Sequence, residues 1–123
     1  MSRQRPTVRV RRVYEPPEAE DGARVLVDRV WPRGLSRQRA AFDEWLPAVA
    51  PSSELRRWYG HDPGRFDEFA RRYQAELADA ARHEALQHLR DLGRAGPLTL
   101  LTATRRVELS HAAVLQGLLG RSR

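Results

Sequence analysis

Val25-Leu26-Val27-Asp28-Arg29-Val30-Trp31-Pro32-Arg33-Gly34 begins with three adjacent apolar residues and runs directly into an acid, an arginine and a tryptophan. An unbroken apolar run marks a strand covered on both faces, and the charges that follow mark where it leaves the core. Trp31 to Gly34 reads as a turn. Leu98-Thr99-Leu100-Leu101-Thr102 repeats the pattern and is followed by Ala103, Thr104, Arg105 and Arg106. More than sixty residues of mostly helical periodicity lie between the two runs. Parallel strands need a long crossover of that kind, whereas antiparallel strands can be joined by a short turn. The expected fold is α/β: a single domain over residues 1–123 with a small, mostly parallel sheet of about three strands and helices packed around it.

The third expected strand lies upstream. Val8-Arg9-Val10-Arg11 alternates apolar and charged residues, the period of a half-buried strand at or near a sheet edge. Residues 1–7 before it read as a basic arm, and Glu15 to Gly22, rich in proline and acid, as a surface loop.

Between the apolar runs, Asp43 is expected to cap about one helical turn carrying Trp45 and Leu46, ended by Pro47. Ser52 is expected to cap a helix through Leu55, Trp58 and Tyr59, with Glu54 favouring its positive end. Gly60 to Gly64 stops that helix. Phe66, Phe69, Ala70, Tyr73 and Leu77 form the next apolar stripe. Ala81, Ala85, Leu89 and Leu92 form another, after a break near Asp79 or in continuation. A last helix is expected over Glu108 to Leu119.

All 22 basic residues are arginine, and the 123 residues include no lysine and no cysteine. That excludes a Schiff-base amine, a thiolate nucleophile, a thiolate zinc site, a disulfide and a complete G-x-x-x-x-G-K-[ST] phosphate loop. The net charge of +6 is unevenly distributed. Residues 1–14 hold five arginines and no acid, residues 15–22 hold four acids and no base, and residues 23–39 hold five arginines against one aspartate. The remaining 84 residues hold 12 arginines and 11 acids, so they are nearly neutral. No run of 18 apolar residues occurs and the N-terminus does not read as a secretory signal, so the expectation is a cytoplasmic protein with no membrane partner.

In open α/β sheets, ligands bind beyond the carboxyl ends of the strands. If the apolar strands are parallel, Asp28, Arg29, Trp31 and Arg33 share one rim with Thr104, Arg105 and Arg106. The functional reading is a small-molecule site in which Arg29 and Arg33 clamp an anion, Asp28 orients an arginine, and Trp31 and Trp58 wall the ligand. The plainer alternative is an Asp28–arginine ion pair that ties a loop down over a packed Trp31. His61, in Trp58-Tyr59-Gly60-His61-Asp62-Pro63, is the candidate proton carrier, and His61 with Asp28 forms the candidate catalytic set. His61 is equally the candidate axial ligand of a haem or metal, or simply a surface residue of a turn. His83 and His88 are five apart, roughly 140° around a helix, and cannot share a zinc ion. His111, in the first turn of the last helix, points towards the proposed rim or is simply exposed, and exposure is the expectation. Nucleic-acid binding through the arginine-rich first strand is the third alternative; solubility explains that strand as readily.

Val27 to Gly34, Ala50 to Pro63 (Ala-Pro-Ser-Ser-Glu-Leu-Arg-Arg-Trp-Tyr-Gly-His-Asp-Pro) and Leu100 to Thr104 together resemble the family called domain of unknown function 488, in its YeaO-like branch. The likeness covers roughly Val10 to Leu119. It implies an α/β fold in a small bacterial cytoplasmic protein and no settled activity. It adds weight to the signature positions Asp28, Arg29, Trp31, Arg33, Gly34, Ser52, Arg56, Trp58, Tyr59 and His61. Arg56 and Tyr59 thereby join Arg105 of the rim among the candidate ligand-binding residues. Thr102 to Arg106 departs from the Tyr-Ala-Ala-Lys-Asp of many relatives, so a mechanism that needs a lysine or an acid there does not carry over. Phe66 stands where a tryptophan is expected.

Overall fold

The computed structural model describes residues 8–120, so the expected basic arm at residues 1–7 lies outside the described residues. Strands β1 (Val8–Arg12), β2 (Ala23–Leu26), β3 (Glu44–Trp45) and β4 (Leu98–Thr102) form one sheet in the order β1-β4-β2-β3. Every pairing is parallel; Val8 and Ala23 both stand opposite Leu98, and Arg9 and Arg24 both stand opposite Thr99. The two apolar runs are central neighbours, and the alternating strand is an edge.

The sheet has four strands rather than about three, and the addition corrects the expected helical turn at Asp43. Glu44 and Trp45 pair with Val25 and Leu26. The Asp43 carboxylate accepts from the Arg24 backbone N–H at 2.8 Å instead of capping a helix, and the Asp43 N–H donates to the Arg24 carbonyl at 2.8 Å. A strand of two residues is too short to show an alternating pattern.

Helices α1 (Ser53–Tyr59), α2 (Phe66–Glu76), α3 (Ala80–Ala95) and α4 (His111–Gly120) supply the main core. Ser52 caps α1 by accepting from the Leu55 N–H at 3.1 Å, and left-handed Gly60 ends it. Asp79 caps α3, which places the break where the sequence suggested one. From the sheet, Val25, Leu98 and Leu100 meet Phe69, Tyr73, Leu77, Leu89 and Leu115 from the helices. A side chain of this size contributes roughly 1.5–3 kcal/mol when fully buried. Packing here is therefore the main force that holds the helices on the sheet.

Among the described residues, none of α1–α4 packs in the smaller cluster on the opposite face. Leu26, Leu101 and Val13 pack there against Leu35, Phe42 and Ala103 from the irregular connection between β2 and β3 and the segment after β4. Towards the strands' amino ends the same face is ionic. Asp21, 1% exposed, accepts from Arg9 at 2.9 Å, from Arg11 at 2.9 Å and from the buried Arg24. The excess positive charge of the first strand and the excess negative charge of the following loop thus meet and cancel. Burial pushes the Asp21 carboxyl up, but the Glu18 N–H and the guanidinia of Arg24 and Arg11 outweigh it and hold the group at about 2.

Gly22 closes this corner. Its φ is +62°, and a Cβ built there would lie 2.1 Å from the Pro97 carbonyl oxygen, so only glycine lets β2 start beside β4.

Candidate functional site

At the other end of the sheet the strands open into a cleft of about 900 Å3. Its wall comes from the segment after β2, the segment after β4, helix α1 with its following turn, and the start of α4. Parallel pairing brings these together: Val27 N–H donates to the Leu101 carbonyl at 3.0 Å, so β2 and β4 end level. Asp28 then ties the two exits, its Oδ2 accepting from the Ala103 N–H at 2.8 Å.

Six arginines line the cleft: Arg29, Arg33, Arg56, Arg57, Arg105 and Arg106. Asp28 is its sole acidic lining residue. Among the described residues, only Arg106 of the six has a carboxylate partner, Glu108 at 3.4 Å. Arg29 donates to the Ser53 hydroxyl. Five of the six thus have no carboxylate partner among the described residues, unlike the arginines around Asp21.

The aromatic wall is partly as expected. Trp31 lines the cleft, fixed by Nε1 donating to the Leu35 carbonyl at 2.6 Å and by rings of Phe42 and Trp45, each 5.6 Å away. Tyr59 lines it as well; its hydroxyl donates to the Leu109 carbonyl at 2.6 Å, and burial pushes the phenol up. Trp58 does not belong to the wall. It lies on another face of α1, with the guanidinia of Arg72 and Arg65 at 4.3 and 5.2 Å from its ring. At about 100° per residue, Arg56, Arg57 and Tyr59 share the cleft side of α1 and Trp58 falls on the opposite side, against Arg72 of α2.

Asp28 corrects a second expectation. It orients no arginine; its nearest charged or chargeable partner is His111, whose Nε2 stands 3.6 Å from Oδ1. His111 is not exposed either. Its side chain is 13% accessible, wedged edge-on against Tyr73 at 5.9 Å, with Nε2 2.9 Å from the Val27 carbonyl. A carbonyl only accepts, so Nε2 carries the ring proton. Burial holds the imidazole below the ordinary histidine value, with Arg56 pressing the same way, while Asp28 and the Val27 carbonyl pull it up.

His61 lines the cleft from its exposed side in a left-handed conformation, φ 57°, with its ring 6.1 Å from Tyr59. Its neighbour Asp62 is occupied by the turn, accepting from the Gly64 N–H at 3.0 Å. The imidazole beside Asp28 is therefore that of His111. The structure brings Asp28, Arg29, Trp31, Arg33, Arg56, Tyr59, His61 and Arg105 to one cleft and leaves Trp58 outside it. It bears out Arg106 at the rim and adds Arg57 and His111; the doublets Arg56-Arg57 and Arg105-Arg106 carry a visible signal in the sequence. His111 carries none. A single histidine at a helix start looks the same whether buried or solvated.

Fold and site together define a small, all-parallel α/β domain with an arginine-lined cleft at the carboxyl rim of its sheet. The model of a family described as "Inactive DUF488-N3 subclade" matches residues 7–122. An uncharacterized protein of Mycobacterium tuberculosis (strain ATCC 25618 / H37Rv) is 55% identical over 112 residues, covering 91% of this chain and 92% of that protein. An uncharacterized protein of Mycobacterium bovis gives the same values. The uncharacterized protein YeaO of Escherichia coli (strain K12) is 40% identical over 109 residues, 88% of this chain and 92% of that protein. The chain thus belongs to the family of domain of unknown function 488, within this YeaO-like group. No solved structure matches it.

Proposed function

We propose that this protein binds a small organic anion in the cleft beyond β2 and β4. The observation that carries the reading is the set of six arginines around one recess with Asp28 as the only lining acid. Arg33, Arg56, Arg57 and Arg105 are held by no carboxylate among the described residues, so each has its donors free for a planar or tetrahedral oxyanion. Trp31 and Tyr59 give the ligand an apolar wall. The "inactive" description of the matching family favours binding over turnover.

His61 has no companions for a metal-ion site, since no group of three metal-ligating side chains gathers among the described residues; a haem would need His61 alone as its axial ligand. Nucleic-acid binding through the first strand loses its motive, because Arg9 and Arg11 are engaged by Glu18 and Asp21.

Thermal melting with millimolar phosphate esters, carboxylates and dicarboxylates tests the proposal. A ligand at about 100 times its Kd stabilises by about 2.7 kcal/mol, several degrees for a domain of this size. The shift is expected to vanish when Arg33 and Arg56 are both changed to alanine. Equal shifts in that variant, or none in the native protein, would sink the reading.

A further inference from the structure

The arginines of the cleft are spread along its length. Helix α1 forms one wall, and its two ends are pinned to the segments that follow the two central strands. At its start the Ser53 hydroxyl accepts from Arg29, which follows β2. At its end the Tyr59 hydroxyl donates to the Leu109 carbonyl at 2.6 Å, and the Leu109 N–H donates to the Arg106 carbonyl at 2.9 Å, in the segment that follows β4. Burial pushes the Tyr59 phenol up, and the Arg106 charge is near enough to pull against it. Six helical steps of roughly 1.5 Å put Ser53 and Tyr59 about 9 Å apart along α1. Arg56 and Arg57 come between them and also line the cleft. All of these arginines are exposed, so their guanidinium forks can turn onto a ligand that enters.

One head group cannot use a row of this length. A carboxylate offers two oxygens with about four lone-pair sites, which about two guanidinium forks fill. Six arginines line this cleft, and only Arg106 has a carboxylate partner among the described residues. The recess, about 900 Å3, has the size that holds a whole organic ligand. We propose that the ligand carries two anionic groups held apart by a carbon skeleton, one bound near Arg29 and the other near Arg105 and Arg106. This rests on the anion reading and names the ligand class within it: an extended bisphosphate or dicarboxylate. Arg56 and Arg57, between the two ends, serve either group. The Trp31 and Tyr59 rings flank the skeleton. Two linked head groups bind far more tightly than one, because the second binds from the same molecule at high effective concentration.

Calorimetric titration at fixed ionic strength with two series tests this: fructose 6-phosphate, pyrophosphate and fructose 1,6-bisphosphate, and hexanoate, malonate and adipate. Each series holds a compound with one anionic group, one with two close together and one with two far apart; the two series separate phosphate from carboxylate as the head group. In at least one series the far-apart member is expected to bind about tenfold or more tightly than both others. Pyrophosphate and malonate thereby separate spacing from charge alone. In the double variant Arg105→Gln, Arg106→Gln that advantage is expected to shrink by about threefold or more, because one of the two ends has lost its anchors. Melting of the variant confirms that it folds. A smaller advantage than tenfold in both series overturns the inference and leaves the anion reading intact. An advantage undiminished in the folded double variant also overturns it. No binding by any of the six compounds overturns both.

Discussion

The two ends of this sheet gather arginines in unequal number, three against six, and use them in opposite ways. Near the amino ends of the strands, Arg9, Arg11 and Arg24 close on a single buried carboxylate, Asp21, and the exposed Glu18 completes the set. At the carboxyl ends six arginines surround a cleft, and the only acid among the lining residues faces a histidine. The first arrangement is satisfied from within and serves the fold. The second leaves its charge unanswered, and like charges gathered without a counter-ion oppose folding slightly while favouring an anionic ligand. Total charge conceals the distinction; partner assignment exposes it.

The sharpest test of the contrast is Asp21→Ala. Removing it strands the buried Arg24 guanidinium, and breaking a buried pair from one side costs about 3–5 kcal/mol. Urea unfolding should show a loss of that order, and a loss under about 1 kcal/mol would erase the difference between the two ends. Gly22→Ala, beside it, should lose about 2 kcal/mol or more by the same measurement, through positive φ and the clash with Pro97. At the other end, Arg33→Ala and Arg105→Ala, both exposed, should change stability by less than about 0.5 kcal/mol while weakening anion binding. A marked destabilisation would show that the cleft arginines are structural after all.

Acid separates the ends in pH. Asp21 titrates at about 2 in the folded protein, below its ordinary value, so its stabilisation is complete above about pH 4 and is lost as pH falls towards 2. His111 lies on the other limb. Its folded value is below the unfolded one, so the unfolded chain takes up the proton first and stability declines as pH falls below about 6.5. Melting midpoints should therefore drop between pH 7.5 and 5.5 in the native protein and drop less in His111→Gln, whose amide can still serve the Val27 carbonyl. An equal drop in both would remove His111 as the source.

Much of the scaffold was legible because its signals are local and repeated. The apolar runs at Val25 and Leu98, the alternation at Val8, the Ser52 cap and the stripe from Phe66 to Leu77 each arise from a physical period or a single hydrogen-bonding requirement. The rim followed from them, since parallel strands must end together. What escaped depends on pairing across the chain. β3 has two residues and exists through its contacts with β2, and Asp43 serves the Arg24 N–H rather than a helix end. The Asp28–His111 contact joins residues 83 positions apart, and nothing near either residue announces the other. Trp58 was misplaced because the turn of α1 was not followed: it puts Arg56, Arg57 and Tyr59 on the cleft side and Trp58 on the opposite one.

The strand order has a further consequence for how the chain is made. β1 is made before the other strands of this sheet, yet among the described residues its only sheet partner is β4, some ninety residues later. At about 5–20 residues per second the leading strand waits roughly 5–20 seconds for that partner. During that time Glu15, Glu18 and Asp21 lie only a few positions downstream of Arg9 and Arg11, so nascent chains carry their own local counter-charges before any sheet exists. The acidic loop thus supplies the arginine-rich strand with counter-charge before its sheet partner is made.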